Sequence, residues 1–424
     1  MQLDRNTDYP TSNEGHQPID FPEYHSTSAK RITVLGGVTD ENIVYTRTGD
    51  DDDVSDERYM TDTDDDNDSM DEDDDDKDHE KLCIVVIQDD EGNSQNVGYL
   101  LKRVLKTAIY GRVRYALVVR KRQTENAATP ADAPVAWDVT GERCAVKEMS
   151  WTVIRELRCR CEEDPVKEVK AMQLIQRHHQ QTNPNRTIGE AMIGSKVMPS
   201  RDILDDGDYL YSVMPFCDGG EFFDYLFNED DGNAMIIGEN EARRYFLQIL
   251  EGIETMQNAG VTHRDMSLEN LMIHDHNCLV IDMGMALRIP YENVADIDGE
   301  IPPNERGERF LVAPQGRCGK IRYMSPEIFR NRRPFDGHAV DLWAVGVILF
   351  MMVTGIPPWD RPSAVDARFL HICRRALLEQ ICVNWGLDLS RPLMDLLQRM
   401  FYENPTERLS LEQIRAHSWT NGEA

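Results

Sequence analysis

The chain has 424 residues, a length that fits one large domain with a tail or two domains. Lys and Arg together number 46 and Asp and Glu 76, which gives a formal net charge of −30. This charge argues against nucleic acid or an anionic membrane as the main partner, because both attract basic surfaces, and the 40% apolar share argues against a chain that is disordered throughout.

The N-terminal part of the chain is predicted to be unstructured. Its first residues, MQLDRNTDYPTS, have no apolar stretch and are not a signal peptide. Asp50 to Glu80 holds 19 acidic residues and two basic ones. Ordering each residue would cost on the order of 1–2 kcal/mol, whereas the few apolar side chains of this stretch would each return about 1.5–3 kcal/mol when buried. We therefore expect residues 1–81 to form a disordered acidic N-terminal region.

Two interpretations of this acidic region remain open. It is a solvated tail, as charge runs most often are. Alternatively, it docks a basic protein or accepts phosphate at Thr61, Thr63 or Ser69, each of which has an acidic residue three positions later.

From about Cys83 the composition changes, and strands precede helices. Runs rich in Val, Leu and Tyr predict strands over Leu100–Leu105, Tyr110–Val119, Glu142–Met149 and Tyr209–Met214. A helix is predicted to begin at Asp164–Pro165, with Pro at the first helical position. A second helix, over Glu239–Ala259, carries an apolar stripe and is ended by Gly260. Strands first and helices later, mostly beyond residue 341, predict an α+β protein with two lobes.

Neither a membrane span nor a disulfide framework is predicted. The longest apolar run, Leu342 to Thr354, is too short to cross a bilayer. Nine cysteines are scattered without metal-ligand spacing, and only Cys159 and Cys161 form a close pair. We expect reduced thiols and a cytoplasmic location, with the nucleus as the alternative.

Three short motifs carry candidate chemistry. The strand-like C-A-V-K ends in Lys147, V-T-H-R-D-M-S-L-E-N contains Asp265 and ends in Asn270, and L-V-I-D-M-G places Asp282 after three apolar residues. Each motif alone has a simpler explanation: a solvated strand end, a polar loop or an ordinary turn.

In their order along the chain, these motifs resemble a eukaryotic protein kinase over about residues 99–419. The matching positions are Lys147, Glu168, His263-Arg264-Asp265, Asn270, Asp282-Met283-Gly284, Ser325-Pro326-Glu327, Asp341-Leu342-Trp343 and Arg408. The resemblance implies a bilobal α+β kinase-like fold. Its small β-rich N-lobe would cover residues 82–217, and its larger helical C-lobe would cover residues 218–419.

The resemblance also implies the cofactors ATP and Mg²⁺ and assigns roles to the residues that bind them. Lys147 is expected to hold the α- and β-phosphates, and Glu168 to pin that Lys by an ion pair. Asn270 and Asp282 are expected to hold two Mg²⁺ ions, which take oxygen ligands. Asp265 is expected to accept or orient the proton of the substrate hydroxyl.

Further residues are implied to contact the nucleotide or to support the large lobe. Those placed around the nucleotide are Gly111, Val113, Ala145, Met214, Phe216, Cys217 and Met272. Among these, Met214 resembles a gatekeeper, and Phe216 and Cys217 belong to the hinge. Asp341 is expected to cap the helix Leu342–Thr354 and to brace the catalytic loop. Glu327 and Arg408 are expected to form a buried ion pair.

The glycine-rich loop departs from the family pattern. Only its third glycine, Gly111, is present, and Lys106 and Ala108 stand at the other two positions. Glycine lets backbone N–H groups approach a phosphate closely, so this departure weakens the expected contact with nucleotide.

Two further departures are opposite in sign. The family's Ser/Thr members have a Lys two residues after the catalytic Asp, where this chain has Ser267, and a Thr where it has Lys320. A hydrogen bond to a charged group is worth roughly 1.5–3 kcal/mol, so loss of that Lys would slow transfer by about ten- to a hundredfold. Our hypothesis is that Lys320 reaches across and replaces the missing cation. The alternative is that Lys320 faces solvent.

The segment between Asp282 and Ser325 contains no Ser or Thr. Members of the family with an Arg before the catalytic Asp, here Arg264, commonly use it to grip a phosphate on this segment. The segment instead offers acidic side chains, among them Asp296, Asp298, Glu300, Glu305 and Glu308. We predict that one or more of them replaces the phosphate, giving activity without phosphorylation of the segment.

The function that this resemblance implies is transfer of the ATP γ-phosphate to protein Ser or Thr hydroxyls. The chain looks most like the calmodulin-dependent and AMP-regulated kinase group, and Glu221 and Glu269 are expected to receive basic substrate residues. Partners are therefore protein substrates of basic character, with no nucleic acid and no membrane. The alternatives are a pseudokinase that binds nucleotide without efficient transfer, and a kinase-fold scaffold that docks basic proteins through the acidic region.

Overall fold

The computed structural model describes residues 10, 14–21, 30–35, 43–45, 83–88, 94–122, 136–158, 160–182, 184–185, 188–227, 235–293 and 303–422. Two compact units divide the chain. The helical unit comprises Met1–Ser28, Trp151–Ile203 and Met214–Ala424, and the β-rich unit comprises Ala29–Ser150 and Leu204–Val213. A β-sheet unit and a helical unit agree with the two lobes expected for a kinase-like fold.

Strands occur in both units, and the longest of them belong to the β-rich unit. In chain order they are β1 (Gly15–His16), β2 (Lys30–Leu35), β3 (Ile43–Tyr45), β4 (Cys83–Gln88), β5 (Ser94–Ala108), β6 (Gly111–Lys121), β7 (Trp137–Ser150), β8 (Asp202–Asp205), β9 (Tyr209–Pro215), β10 (Val261–Thr262), β11 (Leu271–His274), β12 (Asn277–Val280), β13 (Leu287–Arg288) and β14 (Leu311–Val312).

The helices belong to the helical unit. They are α1 (Trp151–Leu157), α2 (Pro165–Thr182), α3 (Ile188–Ser195), α4 (Phe222–Leu226), α5 (Glu239–Asn258), α6 (Pro326–Arg330), α7 (Gly337–Thr354), α8 (Ala367–Phe369), α9 (Leu378–Trp385), α10 (Arg391–Met400) and α11 (Leu411–Arg415). Short 3₁₀ turns cover Leu268–Asn270, Pro303–Glu305 and Pro405–Glu407.

The β-rich unit is built on one sheet with the strand order β3-β7-β6-β5-β4-β2-β8-β9, in which β9 also pairs with β7. The sheet therefore closes on itself. One face of its strands packs into a buried cluster that includes Tyr99, Ala116, Val118, Cys144 and Val146. Because successive strand residues alternate between faces, the neighbours of these residues point to the other face.

Strands near the N-terminus correct one sequence-based expectation. Residues 14–21, 30–35 and 43–45 were expected to belong to a disordered region, yet they contain β1, β2 and β3. β2 pairs with β4 in antiparallel and with β8 in parallel orientation, because the β-branched runs K-R-I-T-V-L and C-I-V-V-I-Q suit a pleated sheet. In the sequence, the acidic stretch Asp50–Glu80 lies between β3 and β4. It falls outside the described residues, as do Thr61, Thr63 and Ser69.

The two units divide the chain at other points than the predicted lobes 82–217 and 218–419. The β-rich unit begins at Ala29, because β2, β3 and β4 are part of its sheet. The stretch Trp151–Ile203, which includes α2, belongs to the helical unit.

Several predicted elements are confirmed, with longer strands than expected. α2 begins at Pro165, and Asp164 Oδ1 accepts the backbone N–H groups of Val166 at 3.0 Å and Lys167 at 3.2 Å, as an N-cap does. α5 ends at Asn258, followed by Gly260 with φ +71°. β5 ends at Ala108 and β6 begins at Gly111, so the remnant of the glycine-rich loop is a tight hairpin.

The long apolar helix α7 forms the centre of the helical unit. Asp336 caps it, with Oδ1 accepting the His338 N–H at 3.0 Å. The expectation that Asp341 caps this helix is therefore wrong, because the helix begins at Gly337, one turn earlier. Among the described residues α7 is long and apolar enough to cross a membrane, but its whole length is buried within the unit.

A buried ion pair stabilises this unit, as predicted. Arg408 donates two hydrogen bonds to Glu327, at 2.7 and 2.8 Å, and its guanidinium lies 4.5 Å from the ring centre of Trp343. Removing either partner would leave an uncompensated buried charge.

An N-terminal segment packs along the helical unit. β1 pairs in parallel with β14, and the Ala313 N–H donates to the His16 carbonyl at 2.7 Å. Further along, the Ile19 N–H donates to the Arg288 carbonyl at 3.2 Å, and Phe21 is buried in the main core. Residues 15–21 therefore contact the segment that follows Asp282 at two of its strands, β13 and β14.

Candidate active site

The predicted catalytic loop connects β10 to β11 and is folded around Asp265. The side-chain amide of Asn270 donates to Asp265 twice, to its carboxylate Oδ2 at 2.9 Å and to its backbone carbonyl at 2.7 Å. The 3₁₀ turn Leu268–Asn270 brings the two residues, five positions apart, into contact. Asn270 therefore fixes the orientation of the Asp265 carboxylate.

A hairpin brings the two predicted metal ligands close together in space. β11 pairs with β12 through a turn at Asp275 and His276, both of which have positive φ, as tight hairpin turns require. At the open end of the hairpin, the Ile281 N–H donates to the Asn270 carbonyl at 3.0 Å. Asp282 therefore follows directly after a residue that is hydrogen-bonded to Asn270.

The donor chemistry of Asn270 and Asp282 fits Mg²⁺. The amide nitrogen of Asn270 is used by Asp265, which leaves its Oδ1 without a hydrogen bond to any described residue. Asp282 has φ +64°, a strained conformation for a residue other than Gly, and its Oδ1 accepts the Gly284 N–H at 3.1 Å. Carboxylate and amide oxygens are the ligands that this ion prefers.

Asp341 braces the catalytic loop from within the core, as predicted. Its Oδ2 accepts the Thr262 hydroxyl and the His263 N–H, and its Oδ1 accepts the Arg264 N–H, all at 2.8 Å. Burial raises the pKa of Asp341, while these donors act in the opposite direction. The carboxylate therefore serves as a three-fold acceptor that fixes the backbone before Asp265.

His263 ties the loop to the strand that leads to Asp282. Its Nδ1 accepts the Asp265 N–H at 3.2 Å, so the ring proton lies on Nε2, which donates to the Ile281 carbonyl at 2.9 Å. The ring is fully buried. It couples the positions of the two acidic residues, Asp265 and Asp282.

The segment at Gly319–Lys320 approaches the same carboxylate. The Lys320 N–H donates to Asp265 Oδ1 at 3.1 Å, so both carboxylate oxygens are hydrogen-bonded. A Cβ at position 319 would lie 2.8 Å from the Arg264 carbonyl oxygen and 2.9 Å from Asp265 Oδ1, and Gly319 has φ +82°. Only Gly fits this close approach. The Lys320 ammonium donates to Ser267 Oγ at 2.8 Å.

Predicted nucleotide residues of the helical unit form one apolar group. Met214, Cys217 and Met272 pack together with Met198 and Leu279. Burial raises the pKa of the Cys217 thiol to about 12, with a smaller contribution from nearby Asp218. Phe216, between Met214 and Cys217 in sequence, is half-buried.

The predicted nucleotide residues of the β-rich unit share one face of its sheet. Val113 on β6 lies opposite Lys147 on β7, and Ala145 is two positions from Lys147 on the same face. The other face of these strands carries the buried cluster. A Cβ on Gly111 would lie 2.0 Å from the Glu148 carbonyl oxygen, so Gly is required where β6 meets β7.

The expected partner of Lys147 is buried on α2. Glu168 is 5% exposed and lies in the first turn of that helix. Glu168 and Lys147 belong to different units. Their ion pair, and the roles of Gly111, Val113, Ala145 and Lys147 in binding ATP, stay predictions.

The segment after Asp282 offers little for phosphorylation. Tyr291 is half-buried, with Arg306 5.5 Å from its ring centre, and Tyr323 is 5% exposed. Burial raises the pKa of both phenols. These are the only hydroxylated side chains between residues 282 and 325.

The predicted acidic partners of Arg264 are not in contact with it where they are described. Its Nη1 donates to the Met285 carbonyl at 3.4 Å, whereas its buried Nε and Nη2 have no hydrogen-bond partner among the described residues. Glu305 and Glu308 are exposed. Asp296, Asp298 and Glu300 lie outside the described residues, so their role stays a prediction.

Sequence reasoning missed three parts of this site. Thr262 helps to hold Asp341, Gly319 allows the approach to Asp265, and Ile281 accepts from His263. The only signal for Gly319 was a Gly beside an unusual Lys. The other two act through a hydroxyl and a backbone carbonyl in runs of β-branched residues, which the sequence does not distinguish from ordinary strand residues.

A sheet unit, a helical unit and a catalytic loop of this geometry define a kinase-like protein. The family model for the protein kinase domain matches residues 139–420. The chain belongs to the protein kinase family.

Curated relatives carry names within this family. CBL-interacting protein kinase 9 of Oryza sativa subsp. japonica is 28% identical over 291 residues, which is 68% of this chain and 53% of that protein. The SNF-related serine/threonine-protein kinase of Homo sapiens is 28% identical over 286 residues, or 67% and 31%. The probable serine/threonine-protein kinase MARK-B of Dictyostelium discoideum is 32% identical over 218 residues, or 51% and 27%. The chain thus matches about half or less of the length of each relative.

Proposed function

We propose that this chain is an ATP-dependent protein kinase that phosphorylates Ser and Thr hydroxyls. The observation that carries the proposal is the Asp265 carboxylate, whose two oxygens are held by Asn270 and by the Lys320 N–H. Membership of the protein kinase family and the names of its Ser/Thr kinase relatives support it.

The proposed reaction needs positioning and charge neutralisation more than covalent chemistry. The substrate hydroxyl oxygen forms a bond to the γ-phosphorus, and the bond from that phosphorus to the β,γ-bridging oxygen breaks. ADP leaves with the electron pair, and Asp265 receives the hydroxyl proton. When bound by Asn270 and Asp282, Mg²⁺ supplies positive charge to the phosphates.

Restraint of Asp265 is the contribution that the described residues make most directly. A carboxylate held by two donors keeps one orientation, and a group held in the correct geometry accelerates reaction without further reorganisation. The hydrogen bonds of Asp341 to the loop backbone extend this restraint into the core.

Basic substrates are the class that the charge of the chain favours. The net charge of −30 attracts cationic peptides. Glu269 lies 3.9 Å from the Lys320 ammonium, which offsets part of its charge. Glu221, at the start of α4, is therefore the residue that we expect to contribute more to this preference. A Glu221→Gln variant should discriminate less between Arg-containing peptides and their Ala analogues than a Glu269→Gln variant does.

A reducing compartment, the cytoplasm or the nucleus, fits the proposal. Cys318 and Cys382 are free thiols, and burial raises the pKa of both to about 11. Such thiols stay protonated and unreactive near neutral pH.

Phosphate transfer from labelled Mg·ATP to a basic peptide library tests the function. The wild type and Asp388→Ala, which changes an exposed carboxylate far along the chain in the α9–α10 loop, should label peptides, whereas Asp282→Ala should not. Labelling that persists in Asp282→Ala would contradict the proposal. Absence of labelling beside a Mg·ATP-dependent rise in melting temperature would indicate a pseudokinase. Absence of any nucleotide response would indicate a scaffold.

A further inference from the structure

We propose that Lys320 is a catalytic residue whose ammonium contacts the transferring γ-phosphate, and that Ser267 holds it in position. This inference rests on the proposed function. It assigns a specific chemical role to the reciprocal change at these two positions, where a Lys is absent from the catalytic loop and a Lys is present in the facing segment.

The two ends of Lys320 are both attached to the catalytic loop. Its backbone N–H donates to Asp265 Oδ1 at 3.1 Å, and its ammonium donates to Ser267 Oγ at 2.8 Å. The side chain therefore spans from the reacting carboxylate to the residue two positions further along the loop. The Glu269 carboxylate lies 3.9 Å from the same ammonium.

Burial of the acceptor decides between this arrangement and a solvent-facing lysine. Ser267 is completely buried, whereas the Lys320 side chain is 40% exposed. An ammonium drawn onto a buried hydroxyl lies over the loop rather than away from it. Its remaining exposed surface leaves it able to meet an incoming phosphate, because an ammonium has three donors and Ser267 accepts only one.

The transfer step creates a need for such a cation. As the γ-phosphoryl group moves from the β,γ-bridging oxygen to the substrate hydroxyl, charge develops on its equatorial oxygens and on the ADP oxygen that leaves. A donor fixed beforehand near Asp265 stabilises this charge without rearrangement. Asp265 then accepts the hydroxyl proton while the Lys320 ammonium contacts the phosphoryl group. The two residues are held together by the hydrogen bond from the Lys320 N–H to the Asp265 carboxylate.

Exchange of the two side chains provides the sharpest test. Lys320→Thr and Lys320→Met should each lower kcat about ten- to a hundredfold with less than a threefold change in the KM for ATP, because the contact forms in the transition state. The double variant Ser267→Lys with Lys320→Thr places the amine on the loop and the hydroxyl opposite it. Its kcat should recover to within about tenfold of the wild type.

A second measurement does not depend on turnover. Mg·ATP should protect Lys320 from acylation by an amine-reactive reagent, as read by peptide mass spectrometry. Lys121, exposed at the end of β6, is the control and should react equally with and without nucleotide. Melting temperatures within a few degrees of the wild type verify that each variant is folded.

The outcomes separate this inference from the proposed function. A wild type that transfers phosphate while Lys320→Met keeps its full kcat would overturn the role of Lys320 and leave the kinase function intact. Equal activity of Lys320→Thr and the double variant would also overturn the role of Lys320 alone. So would acylation of Lys320 that Mg·ATP does not reduce in an active protein. A wild type that transfers no phosphate would overturn both.

Discussion

The Asp341 carboxylate accepts the backbone N–H of Arg264 at 2.8 Å, at a residue whose φ is +69°. Residues other than Gly rarely adopt this left-handed backbone conformation, which costs on the order of 1–2 kcal/mol. Strained residues of this kind persist where the surroundings determine them and are frequent at active sites. Here the strain lies one residue before Asp265, and a buried acid in the core helix α7 holds it.

Replacement of Asp341 by Asn should therefore loosen the catalytic loop. Asn offers one acceptor oxygen and an amide that cannot accept, so one of the buried donors of His263 and Arg264 loses its partner. Such a donor costs about 1–3 kcal/mol, and we expect the free energy of unfolding to fall by that amount and kcat to fall at least tenfold. Urea unfolding and steady-state kinetics measure the two effects. The control, Asp388→Asn at an exposed position, should change neither, and unchanged stability in Asp341→Asn would contradict the bracing role.

Gly319→Ala should separate the facing segment from Asp265. The new methyl group would lie 2.8 Å from the Arg264 carbonyl oxygen, at a backbone φ of +82°, so the peptide must move and the bond from the Lys320 N–H to Asp265 must lengthen. We expect faster hydrogen exchange at the Lys320 amide and a kcat lowered by about tenfold or more.

The matched control for this change is Gly238→Ala. A Cβ at Gly238 meets nothing within 4 Å, and its φ is −65°. This variant should keep wild-type kinetics and wild-type exchange at Lys320. Slow exchange at the Lys320 amide in Gly319→Ala would show that the close approach is not needed.

Spacing along the chain was enough to predict the parts of the site that are local in sequence. The start of α2 at Pro165 followed from a cap and a proline, and α5 followed from its apolar stripe. The approach of Lys320 to Ser267 was also anticipated, because one missing and one added cation at facing positions suggested compensation.

Pairing between distant segments was not predictable in the same way. β2 and β4 close the sheet of the β-rich unit, and β1 joins β14, yet each is a short run beside a charged or polar stretch. Strand preference depends on the partner that the strand meets, and the sequence does not name that partner. The cap of α7 was misplaced for a related reason: Asp336 and Asp341 both lie near the start of the apolar run, and only the position of the first turn distinguishes them.

The N-terminal segment should protect the chain that follows Asp282. The Ala313 N–H donates to the His16 carbonyl, and a Cβ at Gly15 would lie 2.6 Å from Pro334 Cγ and 3.1 Å from the Ala313 Cα. Gly15→Ala should therefore disrupt the pairing of β1 with β14 and destabilise the helical unit by about 1–3 kcal/mol.

Hydrogen exchange at the Ala313 amide is the direct measurement for this variant, and it should be faster than in the wild type. Gly141→Ala, in the β-rich unit, is the control, since a Cβ there meets nothing within 4 Å. Unaltered exchange at Ala313 in Gly15→Ala would mean that the amide is protected without β1.

His338, in the first turn of α7, should make stability depend on pH near neutrality. The ring is 6% exposed, Arg309 donates to its Nδ1, and Arg309 also donates to Asp336 at 2.8 Å. Burial lowers the pKa of His338 well below its usual range, and the charges of Arg309 and Arg306 lower it further. The folded protein therefore keeps this ring neutral where the unfolded chain takes up a proton.

The stability that this neutral ring provides is present above the pKa of an unfolded histidine, about 6.5, and is lost as the pH falls below it. Each such group contributes a slope of up to about 1.4 kcal/mol per pH unit to the free energy of unfolding. His178, whose pKa burial also lowers, adds to the slope of the wild type. In His338→Gln the side-chain oxygen still accepts from Arg309, but no proton is taken up on unfolding at this position. The slope of the unfolding free energy between pH 5 and 6.5 should therefore fall by the contribution of one titrating group. Urea unfolding at several pH values measures it, with the variant of half-exposed His371, His371→Gln, as control. Equal slopes in the wild type and His338→Gln would show that another group carries the pH dependence.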